Sequence, residues 1–418
     1  MSGVGIEPQG AFVSTSKEDF STIGRRYLGV TNIPFFVDGG GEIVLERAWR
    51  QDLIQHLAYL PDFVLAAPFQ PVPADATDLV PLGPEVRDRM RVIRLPAQSS
   101  RLRALADLPR TALALWRAVG DADIVHGGIV GWPYPLGWLA LPMARLRGKK
   151  TLVVVESAPW RSASKQGRLV KRIEAKAYET LGRWSCQLAD LSFYTQPAYR
   201  TQFLRHGRGP GFIAPATWVN DEDILDDDQA RAAWDKKTAE PVRFVYAGRL
   251  VAEKGLEILL AAVRLLGRRG IRGSLDVIGD GPLRSVVESE SGAGCFAVRC
   301  LEPVANGKPF LDFLQPYHVA VIPSLTDEQP RIVFDAAARA VVALASDTDG
   351  LRPHVEHRRT GFLVPPGDVS ALADAMVEMA GKPAVLREMA AEALRRVRNR
   401  THRAMHAERS RLLAQYLL

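Results

Sequence analysis

Residues 323–335 read Pro-Ser-Leu-Thr-Asp-Glu-Gln-Pro-Arg-Ile-Val-Phe-Asp. Directly before them, residues 317–322 are mostly apolar and β-branched, which predicts a short buried strand. Residues 331–342 are rich in alanine and predict a helix. Asp327 therefore falls in a polar loop between strand and helix, and Asp335 follows eight positions later, inside the helix. The order strand, loop, helix is typical of an α/β unit.

This loop can bind an anion, because the first turn of a helix has unpaired N–H groups and the positive end of the helix dipole. Two carboxylates beside it cannot bind phosphate, but they accept hydrogen bonds from hydroxyl groups. A nucleotide-sugar offers both kinds of group: phosphates for the N–H groups, and sugar and ribose hydroxyls for the acids. On these residues alone, a helix cap at Asp327 and a solvated helix residue at Asp335 remain alternatives.

Two basic residues lie near a second predicted strand, upstream. Phe244 to Ala247 leads into Gly248-Arg249-Leu250, and Lys254 directly precedes an amphipathic helix predicted over 255–266. Both cations can point into the crevice at the carboxyl ends of parallel strands. Charge-assisted hydrogen bonds to a diphosphate are worth about 1.5–3 kcal/mol each. Taken singly, each cation would normally be ordinary surface charge. The apolar face of the helix contains Leu256, Leu259, Leu260 and Val263.

Residues 242–380 resemble the donor-binding half of the retaining, nucleotide-sugar-dependent glycosyltransferases of the GT-B fold, group 1. The resemblance implies an α/β fold with two Rossmann-like domains that face each other across a cleft, and a C-terminal helix that crosses back to the first domain. The motifs occur in the family's order and spacing. They are Gly248-Arg-Leu250, Lys254-Gly255, Val277-Ile-Gly-Asp-Gly-Pro282, the tract from Pro323, Ser346-Asp-Thr-Asp-Gly350 and Gly361-Phe-Leu-Val-Pro-Pro-Gly-Asp368.

The resemblance also implies roles for single residues. Arg249 and Lys254 would hold the donor diphosphate, and the loop 327–331 would present its N–H groups to the phosphates. The family's paired acids, two Glu separated by seven residues, fall on Asp327 and Asp335, and Glu328 replaces the usual Gly. Either Asp327 or Glu328 would then contact the transferred sugar. The predicted donor-binding set is Gly39, Gly40, Gly41, Gly248, Arg249, Lys254, Asp327, Glu328, Gln329, Pro330, Arg331 and Asp335.

The chain of 418 residues is too long for one common core and suits two α/β units of about 200 residues. We predict a flexible leader over 1–30, an acceptor-binding domain over 31–216 and a linker over 217–241. A nucleotide-sugar-binding domain would follow over 242–398, and a helix returning to the first domain would occupy 399–418.

The N-terminal half begins with a strand predicted over 32–37, the glycines Gly39, Gly40 and Gly41, and a helix over about 42–60. Consecutive glycines let N–H groups approach an anion, although such a run alone is typical of a turn. No Walker-type Lys-Ser or Lys-Thr follows, and a complete Gly-x-Gly-x-x-Gly fingerprint is absent, which argues against a nucleoside triphosphatase and a dinucleotide site. In the resembling family, this loop faces the donor phosphates.

Candidate acceptor-side residues lie further along this half. A strand predicted over 122–125 would carry His126 at its end, where the family often has a functional histidine, although a hydrogen-bonded loop histidine is equally consistent. A strand over 151–155 would bring Glu156 to the same edge as an acceptor base or hydroxyl ligand. Trp160 and Arg161 open the acceptor-side segment 158–176. The predicted catalytic set is His126, Arg249, Lys254 and Asp327.

The formal net charge of +7 is unevenly distributed. Residues 143–176 contain ten Lys or Arg against two acids, with Leu169, Val170 and Ile173 between them. This segment is either a solvated basic face or a contact for an anionic partner, such as a membrane surface or a pyrophosphate-linked lipid acceptor. Nucleic acid is not expected, because no recognised binding motif accompanies the charge.

No metal and no cofactor are expected besides a UDP- or GDP-sugar as co-substrate. The three cysteines lack metal-type spacing, and the Asp-x-Asp spacing of Asp221 and Asp223 falls in the predicted linker. Residues 1–20 are polar, and no run of 18 apolar residues occurs, which predicts a cytoplasmic protein, with peripheral attachment at the inner membrane face as an option.

The combined prediction is an enzyme: a retaining, metal-independent glycosyltransferase that moves a sugar from a nucleotide-sugar to the hydroxyl of a glycan or lipid-linked acceptor. Its setting would be bacterial cell-surface or exopolysaccharide synthesis. In the resembling family the leaving phosphate itself assists the acceptor, so no enzymic nucleophile is required. Two alternatives stay open: a catalytically silent sugar-nucleotide-binding module and a GT-B nucleotide-sugar epimerase.

Overall fold

The computed structural model describes residues 20–73, 78–161, 169–237, 241–291 and 295–418. In this part of the chain the strands form two sheets, one in each half of the sequence. Helices pack on both sheets, so the predicted α/β class is confirmed.

The first sheet has ten strands among the described residues, in the order β10-β9-β8-β7-β1-β4-β2-β3-β5, with β6 paired to β4. All pairings are parallel except those of β3 with β2 and β5. The strands are β1 (Tyr27–Val30), β2 (Phe35–Val37), β3 (Ile43–Glu46), β4 (Phe63–Pro71), β5 (Leu79–Pro81), β6 (Met90–Leu95), β7 (Ile124–Gly128), β8 (Lys150–Val155), β9 (Leu191–Tyr194) and β10 (Gly211–Ile213). The helices are α1 (Arg47–Leu57), α2 (Pro84–Arg87), α3 (Arg101–Ala106), α4 (Leu108–Asp121), α5 (Gly137–Leu146), α6 (Leu169–Leu188) and α7 (Pro197–Phe203).

The second sheet is parallel throughout, in the order β13-β12-β11-β14-β15-β16. Its strands are β11 (Arg243–Ala247), β12 (Gly273–Ile278), β13 (Phe296–Leu301), β14 (Val319–Ile322), β15 (Val342–Ser346) and β16 (Gly361–Val364). The helices of this half are α8 (Asp227–Lys237), α9 (Leu256–Arg268), α10 (Arg284–Glu290), α11 (Lys308–Leu314), α12 (Ile332–Ala338), α13 (Val369–Ala380), α14 (Pro383–Val397) and α15 (His402–Leu417), with 3-10 turns at Asp221–Asp223 and Ala252–Lys254.

Helix α9 shows how the sequence pattern builds the second core. The apolar face predicted from its spacing is buried in the core of the second half, where α9 also packs against α13, and each leucine contributes about 1.5–3 kcal/mol by leaving water. The face consists of Leu256, Leu259, Leu260 and Val263, which are all buried.

Helix α15 crosses back from the second half to the first, as predicted. Leu412, Leu413 and Leu417 are buried in the first core together with Tyr27 and Phe63. The Thr401 hydroxyl accepts a hydrogen bond from the N–H of Ala404 and so caps the helix. The final helix therefore ties the two halves together, and this part of the fold prediction is confirmed.

The start of the chain was predicted incorrectly. A flexible leader over 1–30 is wrong for residues 27–30, which form the buried strand β1 at the middle of the first sheet; residues 1–19 lie outside the described residues. The helix predicted from residue 42 is also wrong at its start, because residues 43–46 form β3. A short strand of four residues has no periodicity long enough to distinguish it from a polar leader.

Residues 219–237, within the predicted linker, pack with the second core. Ala230, Ala233 and Trp234 of α8 are buried there, and the indole N–H of Trp234 donates to the carbonyl oxygen of Ala340 at 2.9 Å. The domain boundaries themselves stay a prediction. Across the described ranges, we find no helix with the length and apolar character needed to span a bilayer.

Candidate functional site

The candidate site lies where β11, β12 and β14 end. These neighbouring parallel strands deliver Gly248, Gly279 and Pro323 to one edge of the second sheet. Because the carboxyl ends of parallel strands meet at one edge, the loops that follow them share a crevice. The predicted helix over 331–342 is shorter than expected: α12 ends at Ala338, and Val342 already begins β15.

The turn that carries Lys254 packs directly on the loop that carries the acids. The Nζ atom of Lys254 lies 3.3 Å from Oε2 of Glu328. The N–H of Leu325 donates to the carbonyl oxygen of Glu253 at 3.0 Å. Gly255 has φ +74°, and a Cβ there would lie 1.8 Å from the carbonyl oxygen of Pro323. Only glycine therefore permits this approach.

The acid loop is held against Gly350. A Cβ on Gly350 would lie 2.4 Å and 2.5 Å from the carbonyl oxygens of Glu328 and Asp327, so these carbonyls point toward the 346–350 motif. Within the described residues, the backbone N–H groups of residues 327–329 donate no hydrogen bond. The loop therefore offers consecutive free donors, which is what an anion requires.

Buried polar atoms without a partner also concentrate here. Within the described residues, Oγ1 of Thr326, Oε1 of Gln329 and Oγ1 of Thr348 have no hydrogen-bond partner. A buried unpaired polar group costs about 1–3 kcal/mol, so such groups are rare outside functional sites. The amide Nε2 of Gln329 does have a partner, because it donates to the carbonyl oxygen of Ala216 at 2.8 Å. Gln329 thus links the loop to the end of the first half.

A turn after β12 closes the other side of the crevice. Gly279 and Gly281 have φ values of +143° and +149°, and a Cβ on them would lie 1.9 Å from the carbonyl oxygen of Gly248 and 2.6 Å from that of Leu250. The Gly-Asp-Gly motif therefore serves close packing of this turn on the Gly248–Leu250 segment. Arg249 extends from that segment, with its guanidinium 3.3 Å from Glu253, and remains largely exposed.

Asp335 lies on α12, one turn after Arg331. Burial raises the pKa of its carboxyl to about 7, although the charge of Arg331 acts in the opposite direction. The guanidinium of Arg331 lies over the Trp218 ring, 5.3 Å from its centroid. Among the described residues Asp335 therefore has no fixed hydrogen-bond partner, and a half-buried carboxyl of this kind suits a group that accepts hydrogen bonds from a ligand.

His126 lies within β7 and not at its end, because the strand continues through Gly128. Its imidazole meets the Tyr27 ring edge-on at 5.9 Å. Burial lowers the pKa of His126 to about 3, and the neighbouring His56 and Arg409 act in the same direction. At neutral pH this histidine is uncharged, and its catalytic role stays a prediction.

Glu156 directly follows β8, and part of its side chain is exposed to solvent. The surrounding protein still removes enough water from the carboxyl to raise its pKa above the usual range. Arg331, from the opposite half, lies near enough to counteract that shift. Tyr199 of α7 also faces the acid loop: burial first, and then the negative charge of Glu328, raises its pKa to about 12. Glu156 and Tyr199 thus belong to the first half's side of the cleft.

Trp160 and Arg161 are engaged in packing. The indole N–H of Trp160 donates to Glu179 at 3.0 Å, and Arg161 donates to both oxygens of the same carboxylate at 3.0 and 2.7 Å. Arg161 also bonds Gln202 and lies over the Phe203 ring. Packing accounts for both side chains, so their acceptor-side role stays a prediction. Residues 162–168 of the predicted acceptor segment lie outside the described residues.

The three glycines at 39–41 form the exposed tip of the β2–β3 hairpin. The N–H groups of Gly40 and Glu42 donate to the Asp38 carboxylate at 2.9 and 2.8 Å, and that of Gly41 donates to the Asp38 carbonyl oxygen at 3.1 Å. A phosphate would have to displace these contacts and meet the charge of Asp38. The donor-facing role of this run stays a prediction.

Sequence reasoning missed Thr326, Thr348 and Tyr199 as cleft residues. The two threonines lie inside motifs that were recognised, so their position next to the acids was the available signal. Tyr199 gave no such signal, because only the fold of the first half brings it toward the loop of the second.

Residues 241–382 match the family model described as glycosyl transferases group 1. Over 150 residues the chain is 29% identical to the alpha-D-kanosaminyltransferase of Streptomyces kanamyceticus, a match that spans 36% of this chain and 39% of that protein. It is 27% identical over 150 residues to the amylovoran biosynthesis glycosyltransferase AmsK of Erwinia amylovora, which spans 34% and 36%. The matches thus cover little more than a third of the length of these relatives.

Solved structures match over nearly the whole chain. Sucrose-phosphate synthase from Thermosynechococcus elongatus has a TM-score of 0.67 at 19% identity, with 94% of this chain and 99% of that chain covered. The Anabaena protein HepE, in a complex with UDP-glucose, has a TM-score of 0.61 at 14% identity, with 94% and 99% covered. At these identities the likeness concerns the fold. The chain thus has the GT-B fold, and its residues 241–382 are similar to the glycosyl transferases of group 1.

Proposed function

We propose that this protein transfers a sugar from a nucleotide-sugar donor to an acceptor hydroxyl, with retention of the anomeric configuration and without a metal ion. The observation that carries the proposal is the contact between Lys254 and Glu328, 3.3 Å apart, beside a loop whose N–H groups at 327–329 are free. A cation, an acid and free backbone donors in one crevice match the three kinds of group on a nucleotide diphosphate sugar.

The chemistry expected of these residues is mainly electrostatic. When the bond between the sugar and the diphosphate breaks, negative charge grows on the departing phosphate oxygen. Lys254, Arg249 and the free N–H groups of the loop would stabilise that charge, and fixed donors of this kind act without costly reorganisation. The acceptor hydroxyl would give its proton to the departing phosphate on the same face, which retains the configuration. No side chain of the protein needs to form a covalent bond.

Asp335 and the acid pair would orient the donor. Burial raises the pKa of the Asp335 carboxyl to about 7. This carboxyl would accept hydrogen bonds from the ribose hydroxyls. Glu328 is already within reach of Lys254, which supports Glu328 over the more exposed Asp327 as the residue that touches the sugar. The geometry of the crevice supports both assignments, and amide variants test them.

UDP is the first nucleotide to test, since UDP and UDP-glucose are bound in the HepE structures. The amylovoran biosynthesis glycosyltransferase AmsK is among the relatives, which supports a bacterial surface polysaccharide as the setting.

A lipid-linked acceptor at the inner membrane face fits the surface around the start of α6. Leu169, Val170 and Ile173 are 71%, 74% and 62% exposed, and Lys171 and Arg172 lie between them and are exposed as well. Exposed leucines of α3 lie nearby, because Arg101 bonds Glu174 at 2.9 Å across the two helices. Apolar side chains flanked by cations favour an anionic bilayer, where each basic residue adds about 1 kcal/mol.

A donor panel tests the function. The purified chain is incubated with UDP-, GDP- and ADP-sugars, with and without lipid-pyrophosphate and simple glycoside acceptors, in EDTA. The proposal expects one nucleotide class to raise the thermal midpoint and one acceptor to yield a product whose anomeric configuration, read by proton NMR, equals that of the donor. Donor binding without any transfer would favour the silent binding module, and sugar conversion without an acceptor would favour the epimerase.

Sedimentation tests the membrane proposal. The chain should pellet with vesicles that contain an anionic phospholipid at low salt and be released as ionic strength rises. Replacing Lys171, Arg172 and Lys176 by Gln should abolish pelleting and leave donor binding unchanged. Equal partition onto neutral and anionic vesicles would contradict the role of the cations, and no pelleting with either at low salt would point to a water-soluble acceptor.

A further inference from the structure

A cluster of four buried side chains joins the first half to the returning helix. Asp52 and His56 lie on α1, and His402 and His406 lie on α15. Oδ1 of Asp52 is 3.1 Å from Nε2 of His402 and 3.0 Å from Nε2 of His406. Oδ2 of Asp52 is 3.1 Å from Nδ1 of His56. We call these four residues the Asp–His cluster.

The sequence spacing explains how the cluster forms. Asp52 and His56 are four residues apart on α1, and His402 and His406 are four residues apart on α15. Residues at this spacing lie one above the other on the same face of a helix. Each helix therefore presents a pair of potential ligands, and the packing of α15 on the first core brings the two pairs together. Facing helices build metal sites in this way.

We propose that Asp52, His56 and His406 bind one divalent transition metal ion, with zinc the first choice, and that His402 positions the carboxylate of Asp52. The donor atoms of the three proposed ligands all lie within 4.8 Å of one another. Ligand atoms around a tetrahedral zinc, at bonds of about 2.0–2.2 Å, are about 3.3–3.6 Å apart. The carboxylate–imidazole distances of 3.0 and 3.1 Å are a few tenths of an ångström shorter, so a small outward shift of the side chains would admit the ion.

The surroundings hold the ligands in the orientation that a metal needs. Nδ1 of His406 lies 3.2 Å from the Tyr59 hydroxyl. When Nδ1–H donates to that oxygen, the lone pair of Nε2 is left to face Asp52, which is the tautomer of a metal ligand. Carboxylates that bind metals are in turn hydrogen-bonded, and Nε2 of His402 fills that role for Asp52. The His402 ring itself is held against Trp218, with centroids 5.0 Å apart.

The competing account is a metal-free latch in which the imidazoles donate hydrogen bonds to Asp52. Arg409, three residues after His406 and also buried, would then balance the carboxylate charge. In that account Nδ1 of His56 faces both Oδ2 and the backbone carbonyl oxygen of Asp52, at 3.1 and 3.0 Å, and a single N–H cannot satisfy both well. Ion binding through Nδ1 of His56 instead requires that nitrogen to be deprotonated and to give up its hydrogen bond to the Asp52 carbonyl oxygen, so metal binding itself distinguishes the two accounts.

The site would act as a clamp and takes no part in the proposed transfer. It closes the gap between a helix of the first half and the last helix of the chain, so a bound ion would stabilise the union of the two halves. Binding to the folded chain alone raises stability in proportion to the logarithm of the free metal concentration. Bound metal should therefore raise the unfolding temperature, whether or not a donor is present.

Cobalt spectroscopy on the full chain, without a polyhistidine tag, tests the proposal. After EDTA treatment and dialysis, the protein should bind one equivalent of Co²⁺ with the visible bands of a four- or five-coordinate site, and Zn²⁺ should displace it. His56→Ala and His406→Ala should each abolish the bands. His402→Ala, which alters only the orientation of Asp52, should weaken cobalt binding about 10- to 100-fold. His206→Ala, at an exposed histidine elsewhere in the first half, should change nothing.

Asp52→Asn is the control for loss of fold, because it keeps the shape of the side chain and removes only the charge of the ligand. Far-UV circular dichroism verifies that the helices remain. This variant should bind cobalt at least tenfold more weakly than the unmodified chain. Two outcomes would overturn the proposal in favour of the metal-free latch: less than stoichiometric binding by the unmodified chain with equal unfolding temperatures in Zn²⁺ and EDTA, or undiminished bands in both ligand variants.

Discussion

The ammonium of Lys254 lies 3.3 Å from the Glu328 carboxylate and joins the turn after β11 to the loop after β14. The Lys254 side chain is only 18% exposed, so this contact is partly shielded from water. An incoming diphosphate would share Lys254 with Glu328, and Glu328 would become available to a sugar hydroxyl. One ion pair thus connects the predicted phosphate and sugar contacts.

Lys254→Ala and Arg249→Ala should each lower turnover about 10²- to 10³-fold while the fold is kept, because each removes a cation whose partner charge grows in the transition state. Steady-state transfer assays measure the loss. Lys308→Ala, which breaks a surface pair with Asp312 in the same half, is the matched control and should retain full activity. Near-normal turnover in both site variants would remove the donor-site assignment.

Glu328→Gln and Asp327→Asn separate the two candidate sugar contacts. The variant that touches the transferred sugar should lose its preference among sugars that share one nucleotide, while it still binds the free nucleotide. Competition assays between two donors give that preference directly. From the Lys254 contact we expect the larger change in Glu328→Gln. An unchanged sugar preference in both variants would assign these acids to local structure.

Gly350→Ala tests whether the placement of the acid loop matters. The new methyl group would lie 2.4 Å from the carbonyl oxygen of Glu328, so the loop must shift. Donor affinity should fall more than tenfold, which corresponds to about 1.4 kcal/mol. Gly267→Ala on α9 meets no atom within 4 Å and should stabilise the helix by about 0.5–1 kcal/mol with donor affinity unchanged. Equal donor affinity in both variants would contradict the role of the loop.

Asp335→Asn should change both donor binding and the pH dependence of stability. Burial raises the pKa of Asp335 to about 7 in the folded chain, so the folded state binds this proton more tightly than the unfolded state does. The stabilisation is complete below the pKa of the unfolded carboxyl and is lost as pH rises through about 7. The unmodified chain should therefore lose more thermal stability between pH 5 and pH 8 than Asp335→Asn does.

The same variant should bind the donor about 1–3 kcal/mol more weakly, if Asp335 accepts the ribose hydroxyls. Calorimetric titration at pH 8, where the carboxylate is ionised, measures that loss. Parallel stability curves for the two proteins, together with equal donor affinity, would show that Asp335 is a solvated residue without a role in the crevice.

The second half could be predicted from sequence to a large extent, because its motifs are local. A strand end, a loop and a helix start follow one another within a few residues in each of two segments, 248–255 and 323–335. Both segments were predicted to meet in one crevice, and the structure places Lys254 of the first beside Glu328 of the second. The first half was less predictable. The hairpin that contains Gly39 to Gly41 was taken for a strand and a helix, since three-residue strands carry too little periodicity.

The Asp–His cluster shows a second limit of prediction from the sequence. The spacing of Asp52 and His56, and of His402 and His406, is visible in the sequence, but the two pairs are about 350 residues apart and meet only because α15 returns to the first core. In the same way, the contact of Gln329 with Ala216 depends on how the halves join. Such contacts follow from tertiary packing and not from local pattern.

Hydrogen–deuterium exchange of the peptide that spans residues 323–335 tests the donor site most directly. The free N–H groups at 327–329 should exchange fast in the apo chain and become protected when a saturating nucleotide-sugar is added, while a peptide from α13 stays unchanged. Lys254→Ala should lose that protection at the same donor concentration. If calorimetry shows the donor bound while the 323–335 peptide exchanges as fast as before, the donor binds elsewhere and the account is wrong.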